Sequence, residues 1–242
     1  MASFLEKSKD ADLDQLLKEL SARTHGNTRK SLRLLAWKTT VRASYAIKRC
    51  IDIVGSGLGM MLLSPVYLGL AAAVKFTSPG PVIFSQIRVG RYGRHFKFYK
   101  FRSMYQDAEA RKAELLSQNE SADGVIFKMK DDPRITKVGR FLRRTSLDEL
   151  PQLWNVFIGD MSLVGPRPPV PKEVQEYTLE DRKRLDVIPG ITCLWQIMGR
   201  SEIPFREQVR LDKEYILAPS IWKDIAILLK TVPAILGGKG AY

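Results

Sequence analysis

The apolar positions of this chain fall into patterns that predict different elements. Leu13, Leu16, Leu17 and Leu20 recur at i, i+3, i+4 and i+7, one face of a short amphipathic helix. Residues 31–49 mix Leu32, Leu34, Leu35, Trp37, Val41 and Tyr45 with basic residues, a segment suited to lying on a membrane surface. An unbroken apolar run follows over residues 50–74. After a turn cluster at 77–81, residues 82–84 and 94–102 read as strands around a turn at 90–93. Helical patterns come next at 105–119, 134–144, 148–158, 171–184 and 204–217, with 120–134 read as a loop around Asp131-Asp132-Pro133. In the last predicted helix, 221–236, Ile221, Trp222, Ile225, Leu228, Leu229, Val232 and Leu236 share a stripe. Asp224, Lys230 and Pro233 within it predict an interfacial or packed helix rather than a span. No repeat or low-complexity tract interrupts the series.

The run at 50–74 would measure roughly 37 Å as a straight helix, enough to cross a ~30 Å hydrocarbon core. Ser64-Pro65 stands in its middle. Proline removes a backbone hydrogen bond and clashes with the preceding turn, so each half is about 15–21 Å long. The first 20 residues are polar and charged, which argues against a signal peptide. Three readings stand: a hairpin that enters and leaves the same leaflet, a kinked span, and a buried core helix. Asp52 snorkels or pairs with Arg49 at the interface in the first two.

Charge bears on that choice. The chain has 242 residues, 39 Lys+Arg and 26 Asp+Glu, a net charge of +13. Residues 21–106 hold 15 Lys/Arg and one acid, Asp52, so both flanks of the apolar run are basic. Basic flanks tend to stay cytoplasmic, which favours the hairpin and places both on anionic headgroups. The excess also points to an anionic partner: nucleic acid, lipid or a phosphorylated substrate. The length of 242 residues supports one sizeable core with appendages. Two cysteines, Cys50 and Cys193, make no disulfide scaffold or zinc site, and two histidines, His25 and His95, make histidine chemistry an unpromising reading.

Candidate chemistry lies in four segments. Ser146 to Glu149 spells a capping box, the bland reading of a helix start. With Asp148 as N-cap instead, Pro151 falls at N3, the carboxylate stays ionised on the helix terminus, and free N–H groups suit a phosphate. An ionised Asp148 beside a Glu149 that holds a divalent metal is a nucleophile suited to phosphorus. Arg167 stands between two prolines, which aims its fork at a phosphate or pairs it with an acid. Phe96, Phe98, Lys100 and Arg102 share one strand face by period two. They suit single-stranded nucleic acid, a core edge whose cations reach a diphosphate, or plain solvated charge. Residues 187–200 join a Pro-Gly turn to a Gly-Arg end, a weak signal alone.

Taken in order, these segments are specific. An apolar run broken by Ser-Pro precedes SPGPVIFSQIRVGRYGRHFKFYKFRSM, then RRTSLDELPQLWNVFIGDMSLVGPRP, PGITCLWQIMGR, LDKEYI and GGKGAY. This closely resembles the bacterial sugar transferase family, the monotopic phosphoglycosyl transferases, over about residues 46–242. The resemblance implies transfer of a sugar-1-phosphate from a UDP-sugar to a polyprenol phosphate such as undecaprenyl phosphate, with release of UMP. It implies Asp148 as nucleophile and Glu149 as ligand of Mg²⁺ (or Mn²⁺), with Asp148 beside it. Lys100, Arg167, Arg200 and Arg88 match phosphate-binding positions, and Arg102, Asp160, Asp212 and Asp224 match supporting ones. GGKGAY looks like the exopolysaccharide-initiating branch that moves glucose- or galactose-1-phosphate. The implied fold is α+β: an N-terminal amphipathic and basic extension (1–49), a re-entrant membrane helix hairpin (50–75) and a mainly helical cytoplasmic catalytic domain with a small β element (76–242), aided by interfacial amphipathic helices. The implied location is the bacterial inner membrane, monotopic, with both termini cytoplasmic. Anionic lipids are expected partners, nucleic acid is not, and a homo-oligomer stays open.

Two departures from the family pattern stand out, Ile188 before Pro-Gly and Cys193 after the Ile-Thr pair. Both fall in a segment expected to touch the nucleotide-sugar. The chemistry is expected to run in two steps. Asp148 displaces UMP and the polyprenol phosphate then displaces Asp148, because a covalent relay spares two anionic substrates from meeting in line.

Overall fold

The computed structural model describes residues 28–112, 114–115, 129 and 131–237. The predicted helix at 13–20, most of the predicted loop at 120–134 and residues 238–242 lie outside them. The described residues form α1 (Thr28–Leu62), α2 (Ser64–Thr77), β1 (Ile83–Val89), β2 (His95–Phe101), α3 (Ala108–Lys112), α4 (Lys137–Arg144), α5 (Gln152–Ile158) and β3 (Ser162–Val164). They continue with α6 (Pro171–Gln175), β4 (Gly190–Thr192), α7 (Leu194–Met198), α8 (Phe205–Leu217) and α9 (Ile221–Gly237). Mostly helical with small two-stranded sheets, the chain has the α+β composition expected of it.

The apolar run bends where the sequence breaks it. The axis of α2 departs from that of Arg42–Leu62 by 63°. In an unbroken helix the Met61 carbonyl would accept from the N–H of residue 65, which proline lacks. The Ser64 hydroxyl donates to Met61 O at 2.8 Å instead, so the serine satisfies the acceptor that the proline orphans. No single described helix is long and apolar enough to cross a membrane, whereas the bent pair passes by length and composition together. The run is not a core helix, since Met61, Leu62 and Leu68 are 63%, 72% and 74% exposed.

The other side of α1 is fastened to the rest of the protein. A Cβ at Gly55 would sit 2.9 Å from Leu163 Cδ1, and one at Gly59 3.1 Å from Leu153 Cδ1, so the glycines allow α1 to lie close on β3 and α5. Asp52 is buried here and not at an interface: its Oδ1 accepts from the Leu163 N–H at 2.8 Å and the Ser162 hydroxyl at 3.0 Å. Arg49 donates to the Val156 and Phe157 carbonyls at 2.6 and 2.8 Å, closing the C-terminal end of α5. Lys48 donates to Val164 O at 3.0 Å and pairs with Asp224 at 2.5 Å. Two of the cations read from sequence as headgroup ligands are thus spent inside the protein.

β1 and β2 form an antiparallel hairpin with Ile83 opposite Phe101 and Val89 opposite His95. Phe96 and Phe98 enter a core with Val156 and Met161. With their rings buried they offer no stacking platform, which removes the basis of the nucleic-acid reading. A second, parallel pair joins β3 to β4; strands this short leave no periodicity to read. The predicted helix at 171–184 is two elements, α6 and a 3₁₀ turn at Asp181–Asp186. Thr178 N–H donates to Asp181 Oδ2 at 2.9 Å and starts the second turn afresh.

Candidate active site

α4 starts at Thr136, whose Oγ1 accepts from the Gly139 N–H at 2.8 Å, and ends before Ser146. Ser146 is left-handed at φ 55° and opens a 3₁₀ turn over Leu147–Glu149; Pro151 then caps α5. The predicted capping box therefore does not form, since the Ser146 side chain makes no cap bond, and Asp148 is not the N-cap of α5. Proline, which needs no N–H, takes that place. The tight turn presents Asp148 and Glu149 side by side against β2. Tyr67 of α2 donates to Leu150 O at 2.5 Å and ties the turn to the apolar hairpin. Arg200, also at positive φ, donates from Nη2 to Ser146 Oγ at 3.2 Å. Backbone strain at two touching residues of one site is held by its surroundings.

Lys100 Nζ lies 2.7 Å from Glu149 Oε1 and 3.4 Å from Asp148 Oδ2, and Arg167 Nη1 lies 3.3 Å from Glu149 Oε1. Burial raises the Asp148 carboxyl above its usual range; Lys100 opposes the rise and the neighbouring Glu149 charge adds to it. Burial pushes Glu149 the same way, but Lys100 and Arg167 outweigh it and hold Glu149 at about 2. Neighbouring acids are thereby driven apart. Glu149 is firmly ionised, whereas Asp148 is poorly solvated, a condition that strengthens an anion as a nucleophile once ionised.

Both acids open on a cleft of about 670 Å³, lined also by Lys100, Arg88, Arg167 and Arg200. That volume suits a ligand of nucleotide-sugar size. Arg88 stacks 5.1 Å above the Phe98 ring and donates to Pro168 O at 3.0 Å; burial lowers it to about 10, with Arg167 adding repulsion. The structure therefore brings Asp148, Glu149, Lys100, Arg88, Arg167 and Arg200 together, across a separation of 112 positions in sequence.

The four supporting residues sit differently. Arg102 reaches the cleft wall, but its guanidinium donates to Ser78 O at 2.6 Å and Pro79 O at 2.8 Å, pinning the turn before β1. Gly80 serves that contact. At φ +115° it adopts a conformation natural to glycine, and a Cβ there would strike Arg102 Nη1. Asp212 is buried against Arg184, Asp224 is bound by Lys48 and the Tyr215 hydroxyl, and Asp160 lies half-buried in the turn after α5. None of these three acids lines the cleft. Ile188 and Cys193 do not line it either; Cys193 is buried with its thiol donating to Gln196 Oε1 at 3.2 Å. Their segment reaches the cleft through Ile191, Thr192, Trp195, Gln196 and Arg200 instead. Sequence reading missed Arg143 and Glu173, which line the cleft. Arg143 stands in the RRTSLDELP motif itself, separated only by Arg144-Thr145 from Ser146, where the turn that carries the dyad opens.

Among the described residues no group of three or more His, Cys, Asp or Glu side chains gathers to hold a metal. Two adjacent carboxylates are nonetheless the partial oxygen set that Mg²⁺ accepts when substrate phosphates and water complete it.

Known proteins similar to this chain point to one family. The family model described as bacterial sugar transferase matches residues 43–238. The galactosyl transferase CpsE of Streptococcus agalactiae is 52% identical over 195 residues, 80% of this chain and 43% of that protein. The undecaprenyl-phosphate galactose phosphotransferase of Salmonella typhimurium is 45% identical over 204 residues, 83% of this chain and 43% of that protein. The exopolysaccharide production protein ExoY of Rhizobium meliloti is 38% identical over 198 residues, 81% of this chain and 88% of that protein. The chain thus spans less than half the length of the first two relatives and most of the third. With the dyad, its cations and the broken apolar run all inside the matched region, the chain belongs to the bacterial sugar transferase family.

Proposed function

We propose that this chain transfers a hexose-1-phosphate, of glucose or galactose, from a UDP-sugar to undecaprenyl phosphate or a similar polyprenol phosphate, as the first step of exopolysaccharide or related glycan assembly. The observation that carries the reading is the divided dyad: a buried, poorly solvated Asp148 beside a Glu149 already matched by Lys100 and Arg167, at the floor of a basic cleft. In the first step an Asp148 oxygen bonds to the phosphorus that bears the sugar, the P–O bond to UMP breaks, and UMP leaves. In the second, a phosphate oxygen of the polyprenol phosphate bonds to the same phosphorus and the bond to Asp148 breaks, restoring the carboxylate. Arg88, Arg167 and Arg200 hold the diphosphate oxygens in place. Glu149, with Asp148, would hold Mg²⁺ or Mn²⁺, which when bound offsets the diphosphate charge.

The acceptor is a lipid, and the protein has a surface suited to reach it. The bent pair α1–α2 exposes Leu58, Met61, Leu62 and Leu68 on its outer side, and both flanks are basic. A hairpin entering and leaving the cytoplasmic leaflet of the inner membrane accommodates both features. The deciding experiment is UMP release by the membrane-bound protein with undecaprenyl phosphate and UDP-glucose or UDP-galactose. Release should be catalytic with the acceptor and stop near one per enzyme without it, leaving a sugar-phosphate adduct on the peptide containing Asp148. Sequential kinetics without an adduct would overturn the covalent step.

A further inference from the structure

The cations of the cleft divide between the two acids of the dyad. Arg167 touches Glu149, and the charges acting on the Arg88 side chain include Glu149 and Glu173. Lys100 lies between the two acids but nearer Glu149. Arg143 stands apart from these. It comes from the last turn of α4, lines the cleft, and the first acid acting on it is Asp148. Its Nε donates to Ser103 Oγ at 3.1 Å, which fixes the plane of the guanidinium. Among the described residues its two terminal nitrogens make no hydrogen bond, and Asp132, the other acid near it, is already gripped by Arg134 at 2.6 Å. Burial lowers its affinity for a proton, the sign of a cation short of counter-charge.

Where Arg143 sits decides which anion it meets. Its neighbour Leu142 is fully buried in a cluster with Val74 and Phe101, and Tyr67, Leu70 and Ala71 of α2 pack on the same cluster. Helix α4 therefore packs on the returning helix of the apolar hairpin, and Arg143 leaves it one residue beyond that contact. Arg167 reaches Glu149 instead, and Arg88 donates to Pro168 O in the loop after β3.

We propose that Arg143 binds the phosphate of the polyprenol acceptor, so that the two substrates use different guanidinium groups around one nucleophile. This rests on the two-step reading above. Arg143 presents two parallel N–H groups to the acceptor phosphate and holds one of its oxygens toward the phosphorus on Asp148. That oxygen forms the new P–O bond, the bond to Asp148 breaks, and no proton is required.

The test separates the half-reactions of the full-length protein in native-composition membranes or nanodiscs, with Arg143→Lys and Arg143→Gln beside Arg167→Lys. Because the Arg143 charge also favours the ionised Asp148, single-turnover release of UMP is read well above the acid limb; there its amplitude should match wild type in both Arg143 variants, which also reports correct folding, and its rate should fall far less than the acceptor step. Their kcat/KM for undecaprenyl phosphate should fall by about 10–100-fold, the scale of a lost charge-assisted hydrogen bond, and the adduct should accumulate during turnover. Arg143→Lys keeps the charge without the fork and should fall less than Arg143→Gln. Arg167→Lys should show the opposite split. A fall of the UDP-sugar half-reaction in the Arg143 variants with the acceptor step unchanged, or an equal fall of both, would overturn the assignment to the acceptor. Absence of any acceptor-free UMP release in the wild type would instead overturn the two-step reading itself.

Discussion

Two clusters of paired opposite charges border the same cleft, and they differ in what is left over. Arg184 and Asp212 form a closed pair: two guanidinium nitrogens lie 2.7 Å from one Asp212 oxygen, a third donates to the Tyr177 hydroxyl at 3.0 Å, and the Tyr177 and Phe205 rings flank the plane. Around Asp148 and Glu149 stand Lys100, Arg88, Arg143, Arg167 and Arg200, more cations than acids. Both clusters are buried, and both raise an aspartate by desolvation: Asp212 to about 6, with Arg184 restraining the rise, and Asp148 with Lys100 opposing. Burial and pairing alone therefore do not distinguish a site from a brace. The distinction is spare hydrogen-bonding capacity facing a cleft large enough to fill.

Substitutions sharpen that contrast. The largest effect should come from Asp148→Asn, which should lower transfer by ~10⁴-fold or more, the scale of losing an activated nucleophile, while UDP-sugar still binds. The melting temperature should hold or rise, because the folded state disfavours charge at that position. A large drop in melting temperature would make Asp148 a brace like Asp212. Asp212→Asn should do the converse. It leaves Arg184 buried without its counter-charge, a loss of about 3–5 kcal/mol, visible by chemical denaturation, with the rate per folded molecule little changed. Loss of rate at full stability would place Asp212 in the site.

Glu149→Gln keeps the shape and removes the charge. Transfer should fall by about 100-fold, ~2.7 kcal/mol at ~1.36 kcal/mol per tenfold, and added Mg²⁺ should not restore it, because an amide binds the cation far more weakly. Wild-type activity should stop in excess chelator; full activity there would remove the metal from the proposal. pH gives the smallest effects. The ionised form of Asp148, the proposed nucleophile, is lost as pH falls through its raised value, so the acid limb of acceptor-free UMP release should lie above the ordinary aspartate range of ~3.9.

Much of this was legible in one dimension. A proline within an apolar helix predicts a break wherever it folds, because the missing N–H is a covalent fact, and α1 and α2 part at Ser64-Pro65. The stripe at 221–236 gives α9 for the same local reason. The dyad, Lys100, Arg167 and Arg200 stand in motifs that resemblance ties to one reaction, and the structure brings them to one cleft. Local signals misled where a neighbour was decisive. The capping box from Ser146 to Glu149 failed because Ser146 is left-handed and its hydroxyl accepts from Arg200, 54 positions away. Asp52, Lys48 and Arg49 read as interface residues until α5, β3 and α9 supplied partners from more than 100 positions away. Arg102, Arg143, Arg167 and Arg184 are the same residue in sequence. Which is spent on a turn, which closes a pair and which keeps a free fork depends on carbonyls and acids brought near by packing. The sequence by itself determined the break, the family and the charged residues that gather at the cleft. Only the tertiary structure decided which of those charges are already satisfied, because hydrogen-bond saturation belongs to neighbours in space, not to neighbours along the chain.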